Sequence, residues 1–218
     1  MATLSSTIGT TLSTLAGPGA EGSFIDLFTA AMFSLVGIIA AVGTVQSMVR
    51  ARQDEASGTA EIVLAAPITR LRWFASYLVI GVVTAVLVLG VAVLGAVIGL
   101  LTAANPGDRA VTVAEAGLAQ LPAVLVLLAV VALVFAVLPR ATIWLGWVVL
   151  LLAIGIGQFG GLLGLPDAVR NASPFSHTPI VTAADVDWSG AWVMLAIAIV
   201  VSALAAMLVR RRDLALGA

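Results

Sequence analysis

The sequence predicts an all-α, polytopic membrane protein with about five transmembrane helices, on three observations. Of 218 residues, 61% are hydrophobic and 10% are charged, against roughly 25% charged in an ordinary soluble domain. Mean hydropathy is +1.18, which leaves too little polar surface to cover a water-soluble globule. The apolar residues also gather into five runs, about 24–49, 73–101, 119–138, 142–163 and 189–209. Each is long enough to cross about 30 Å of hydrocarbon as a helix.

In chain order, residues 1–23 are rich in Ser, Thr and Gly and carry no basic residue. They hold no apolar run long enough for a signal peptide and read as a flexible external tail. The run 24–49 is the first span, with Asp26 at its outer edge. The run 73–101 exceeds a crossing, so it tilts or emerges on one side. Pro122, near the start of 119–138, suits a first helical turn, and Leu138-Pro139-Arg140 breaks the chain before 142–163.

Arginine sets the orientation. With 50–72 cytoplasmic, Arg50, Arg52, Arg70, Arg72, Arg140, Arg210, Arg211 and Arg212 lie inside, leaving Arg109 and Arg170 outside. The tail and the segments 102–118 and 164–188 are then external, and the C-terminus is cytoplasmic. Trp73 and Trp188 fall at membrane–water boundaries, where indole rings prefer to sit. An odd number of spans behind an exported start points to a missing upstream segment.

Residue types exclude several chemistries. Cysteine is absent and all ten basic residues are arginine, which removes disulfides, thiolate nucleophiles, Schiff-base lysines and the P-loop lysine. A net charge of −1, arranged by depth, makes no nucleic-acid patch. The last four spans contain no ionisable residue, whereas ion-driven carriers keep one near the bilayer centre, so the energy comes from elsewhere. The single histidine, His177, lies in an external segment, and neither HExxH nor GxSxG occurs, so no enzyme activity is expected. Ser34, Thr44, Ser47 and Ser202 are expected to bond their own helix backbone or a neighbouring helix. Gly155-Ile-Gly157-Gln-Phe-Gly160 spells GxGxxG, but inside a span and without a βαβ unit. With Gly161 and Gly164 it predicts close helix approach or a helix break. Asn171-Ala-Ser173 is a glycosylation sequon in form only, with Pro174 following.

The connector 53–73, QDEASGTAEIVLAAPITRLRW, spends about twenty residues where a few would turn the chain. Gly58 interrupts a helix leaving the first span, Thr59 can cap a new one, and Glu61 falls in its first turn, where the helix dipole favours a carboxylate. Pro67 stops it. The product is a helix of about two turns over 60–66 carrying Ile62, Val63 and Leu64, too short to be stable alone in water. Lipid headgroups or another protein must hold it.

The run Arg50-x-Arg52-x-Asp54-Glu55-x-x-Gly58-Thr59-x-Glu61-x-x-Leu64-x-x-Pro67-x-x-Arg70-x-x-Trp73 resembles the coupling-helix segment of ABC type-2 permeases, the membrane subunits of ABC exporters. It is most similar to the actinobacterial exporters described as acting on polyketide antibiotics. Leu121-Pro122-Ala123, Pro139-Arg140, Ser173-Pro174-Phe175-x-His177-x-Pro179 and Arg210-Arg211-Arg212-Asp213-Leu214 agree in the same order, so the resemblance spans nearly the whole chain. It implies a short cytoplasmic coupling helix and an external re-entrant hairpin over about 158–188, with Gly160, Gly164, Pro174 and His177 within it. The five runs would be the second to sixth spans of a six-span half, the C-terminal half of a fused permease, with the elbow helix and first span lacking a counterpart.

The resemblance also implies a function: the permease subunit of an ATP-driven exporter of antibiotics or other amphipathic small molecules, in the plasma membrane. Its partners would be an ABC ATPase subunit, a second permease half or second copy, and membrane lipids. ATP and magnesium would bind the ATPase, and no cofactor this chain. The coupling contact would comprise Asp54, Glu55, Gly58, Thr59, Glu61, Ile62, Leu64, Pro67 and Arg70, with Glu55, Glu61 and Arg70 as polar contacts and Ile62 and Leu64 as the apolar plug. Met32, Phe33, Trp144 and Trp147 would line a conduit where two halves meet, with plain packing as the alternative. A truncated, non-transporting membrane interaction or assembly protein is the other reading of the chain.

Overall fold

A chain this apolar can satisfy its backbone in lipid only by pairing it within each segment, and among the described residues every regular element is helical. The structure, a computed structural model, describes residues 24–64, 68–101, 106–161, 163–181 and 186–211. The helices are α1 (Phe24–Ala56), α2 (Thr59–Leu64), α3 (Arg70–Leu100), α4 (Pro106–Val137), α5 (Thr142–Phe159), α6 (Asp167–Arg170) and α7 (Ser189–Arg211). Single 3-10 turns lie at Pro139–Ala141 and Pro174–His177. Five helices, α1, α3, α4, α5 and α7, are long and apolar enough to cross a membrane. The tail 1–23, Pro67 and Arg212 lie outside the described residues.

Three boundaries differ from expectation. Helix α1 continues past residue 49 to Ala56, because charges there pair along the helix: Arg50 with Asp54 at 3.4 Å and Arg52 with Glu55 at 3.5 Å. Gly58, at φ +77°, ends the run in the left-handed region that suits glycine. Helix α4 begins at Pro106, so the expected external segment 102–118 is largely helix. Proline at a first helical position gives up no hydrogen bond, and no second breaker follows before Pro122. Pro122 therefore sits inside α4 and not in its first turn, a placement that membrane helices tolerate when neighbours support them. Helix α5 stops at Phe159, where the Leu165 N–H reaches the Gly160 carbonyl at 3.0 Å and the Gly164 N–H reaches that of Gly161 at 3.3 Å. With Gly164 at φ +63°, this is a left-handed glycine turn.

Helix α4 forms the axis and touches the other four spans, which stand around it in the order α5, α1, α3, α7. The 3-10 turn Pro174–His177 closes the remaining gap by touching α4, α5 and α7. Small residues set the close contacts: a Cβ on Gly81 would lie 2.8 Å from both Ser47 Oγ and Leu128 Cδ1, and one on Gly117 would lie 2.3 Å from Val93. These pairs make α3 antiparallel to α1 and α4. The main core gathers Met48, Phe74, Leu127, Phe135 and Leu150, and a smaller cluster holds Phe33, Val113, Ala116, Ala119 and Val181. Alternation brings Arg50, Arg52, Arg70, Arg72, Arg140, Arg210 and Arg211 to one end, hereafter the arginine-rich end, while Arg109 and Arg170 belong to the other.

Candidate functional site

At the arginine-rich end the connector is fastened on both flanks. The Tyr77 hydroxyl of α3 donates to Asp54 Oδ2 of α1 at 2.5 Å, while Asp54 Oδ1 faces Arg50 Nε at 3.4 Å. On the same turn of α1, Arg52 and Glu55 pair with side chains 7% and 0% exposed. Trp73 meets Tyr77 edge-on with ring centres 5.2 Å apart, and Phe74 stacks on Phe135 of α4 at 5.8 Å. The ion pairs brace the last turns of α1, the hydrogen bond joins α1 to α3, and the ring contact joins α3 to α4.

Helix α2 rests on this base through Ala60, buried in the same core cluster as Trp73 and Phe74. Gly58 turns the chain, its carbonyl accepts the Glu61 N–H at 3.0 Å, and the hydroxyls of Ser57 and Thr59 lie 2.9 Å apart. Glu61 sits in the first turn, where its charge complements the helix dipole, and its side chain is exposed. Thr69 caps α3 by accepting the Arg72 N–H at 3.3 Å.

Among the expected coupling residues, Gly58, Thr59 and Glu61 are brought together at the surface, and Arg70 begins α3, half-buried. Asp54 is committed to Tyr77 and Arg50. Glu55 is wholly inside, so it braces α1 and presents nothing to a partner. The backbones of Ile62 and Leu64 are helical, while their side chains and Pro67 lie outside the described residues. Tyr77 and Thr69 were missed by sequence reasoning. The signal was available: Tyr77 is the sole tyrosine and lies one turn beyond Trp73.

The expected conduit residues do not converge. Met32 and Trp144 are exposed, Phe33 is buried in the smaller cluster, and Trp147 packs against the main core. Gln158 of α5 bonds Ser34 of α1, whereas Gly146 faces Val45. Trp144 is therefore level with residues near 46, about 20 Å along the bundle from Met32 at 1.5 Å per residue. Trp73, expected at a membrane boundary, is buried against Tyr77 and Phe135.

The opposite end is joined by neutral groups. Gln158 Nε2 donates to Ser34 Oγ, and Ser173 Oγ donates to the Ala153 carbonyl at 2.7 Å. Gly157 admits this segment, since a Cβ there would lie 2.6 Å from Ser173 Oγ and 2.8 Å from Phe175 Cβ. Gly160 is buried, Gly164 exposed, and Pro174 opens the turn that ends at the exposed His177, whose Nδ1 lies 3.2 Å from the Ser173 carbonyl. Asp187 accepts the backbone N–H and the hydroxyl of Ser189 before α7, and these bonds, the N–H first, hold its carboxyl below the usual range. Thr44 and Ser47 donate to carbonyls of their own helix, at 2.8 Å and 2.7 Å.

Among the described residues, the buried charged side chains are Arg52 and Glu55, both at one end of α1, and no three metal-ligating side chains converge. This is a polytopic helical membrane bundle whose most elaborate polar structure braces a connector. Residues 2–210 match the family described as the C-terminal domain of multidrug efflux system permease Rv1217c, and the chain belongs to that family. It is 35% identical over 198 residues to the multidrug efflux system permease protein Rv1217c of Mycobacterium tuberculosis (strain ATCC 25618 / H37Rv). That match covers 89% of this chain and 36% of the relative, so the chain spans little more than a third of that protein's length.

Proposed function

We propose that the chain is the membrane-embedded part of a permease that exports amphipathic small molecules, driven by ATP hydrolysis on a separate subunit that grips α2. The observation that carries this reading is the connector: a short helix turned by Gly58, seated through Ala60 and presenting Glu61 outward. A loop that only joined two spans would need neither the seat nor the brace. The orientation follows from arginine, which puts α2 in the cytoplasm and the 173–177 segment outside. The family's multidrug efflux description supports the cargo class, and the lack of a charged group at mid-span supports an external energy source.

A second permease half or second copy would meet α1. Its exposed residues Phe28, Met32, Leu35, Ile39, Val42 and Gln46 recur at spacings of four and three, the pattern by which helices pack side by side at a shallow angle. Phe33, on the inner face, is packing in this arrangement. Glu61→Arg tests the docking: the variant inserts into the membrane at wild-type level but no longer co-purifies with the ATPase subunit. Co-purification at wild-type yield rejects the α2 contact.

A further inference from the structure

We propose that the groove between α3, α4 and α7 holds an acyl chain of an anionic phospholipid, whose phosphate is bound by Arg72 and Arg210. The groove measures about 390 Å³ and is lined by Leu78, Val82, Leu128, Leu195, Ala198 and Ser202 among others. Its lips, Val79 and Ile199, are exposed. Nothing in the described residues covers it, and the lining residues nearest the arginine-rich end are Leu78, Leu128 and Ser202.

Two arginines lie beyond the groove, on the side of the arginine-rich end. Arg72 is seven residues before Val79, hence on the same face of α3 and about 10 Å away. Arg210 is eight residues beyond Ser202 on the antiparallel α7, about 12 Å away. Both are exposed. Neither α3 nor α7 contains a carboxylate, and among the described residues neither arginine has an acidic partner. Asp54 and Glu55 belong to α1 and face Tyr77, Arg50 and Arg52.

This combination selects the occupant. A transmembrane helix laid into the groove would fill the apolar floor but would leave unmet the two exposed guanidinium groups that lie beyond it. A phospholipid supplies a chain for the floor and, one headgroup away, phosphate oxygens that guanidinium binds in a bidentate manner. An anionic lipid is favoured over phosphatidylcholine because it brings no ammonium of its own to oppose the arginines.

The test uses the full chain in nanodiscs of phosphatidylcholine doped with phosphatidylglycerol, with retained lipid identified by native mass spectrometry. Wild type retains phosphatidylglycerol in preference to phosphatidylcholine. Arg72→Gln with Arg210→Gln lowers that retention about tenfold, as expected for two charges near an anionic headgroup. The matching pair of lysine substitutions preserves it. Ala198→Phe, which fills the groove without touching charge, also lowers it, while Arg50→Gln, at the same end but on α1, leaves it unchanged. Equal retention of both lipids, or an equal loss in Arg50→Gln, overturns the proposal. So does a photo-crosslinker at residue 199 that captures protein rather than phospholipid in membranes. None of these outcomes depends on transport or on the ATPase contact.

Discussion

At the arginine-rich end, α1 carries two ion pairs along its own last turns and is joined to α3 by a tyrosine–carboxylate bond, while stacked rings join α3 to α4. At the opposite end α1 is joined to α5 by one amide–hydroxyl bond, with the 173–177 segment pressed onto a glycine beside it. The difference follows the solvent each polar group can reach. Charges on the last turns of α1 lie at the end of a helix of 33 residues, about 50 Å long, which exceeds the hydrocarbon and reaches headgroups and water. Gln158 and Ser34 are buried within the apolar spans, where a neutral pair costs far less to desolvate than a charged one. One end therefore holds charged groups that punish incomplete pairing, and the other is close-packed through neutral ones.

Substitutions at the two ends should separate these mechanisms. Arg52→Leu leaves the Glu55 carboxylate buried with its ion-pair partner removed and should destabilise the fold by about 3–5 kcal/mol, read as loss of thermal stability in detergent. Adding Glu55→Leu should recover most of that loss; a double variant as unstable as the single would show that the pair is not the source. Gly157→Ala should cost about 1–3 kcal/mol by forcing Ser173 and Phe175 outward, and hydrogen exchange should rise in 173–177 while the α1–α3 junction stays protected. Gln158→Leu should cost least, about 1 kcal/mol, the usual scale of an interhelical polar bond in a membrane. A Gln158→Leu effect as large as that of Arg52→Leu would erase the distinction between the ends.

Much of this was legible in the sequence. The five spans follow from the apolar runs, and the connector's turn and helix follow from Gly58, Thr59 and Glu61, because these are local effects. The start of α4 was misplaced because hydropathy locates what enters lipid, whereas a helix continues into water wherever nothing breaks it, as it does after Pro106. Glu55 was expected at the coupling contact because it falls in the segment that resembles the family's coupling helix, a match that carries no information on burial. The pairing of Glu55 with Arg52, buried beside it on α1, helps make that burial tolerable. Met32 and Trp144 looked like parts of one lining because both are large and apolar, although the alternation of spans already sets them towards opposite ends of the bundle.

What the sequence determined by itself was the membrane class, the spans and the helical connector, since hydrophobicity and backbone preference act over a few neighbouring residues. What the tertiary structure decided was which polar groups meet: Tyr77 with Asp54, Gln158 with Ser34, and Ser173 with the Ala153 carbonyl. Those pairings depend on the rotation and register of helices far apart in the chain, and packing alone fixes them.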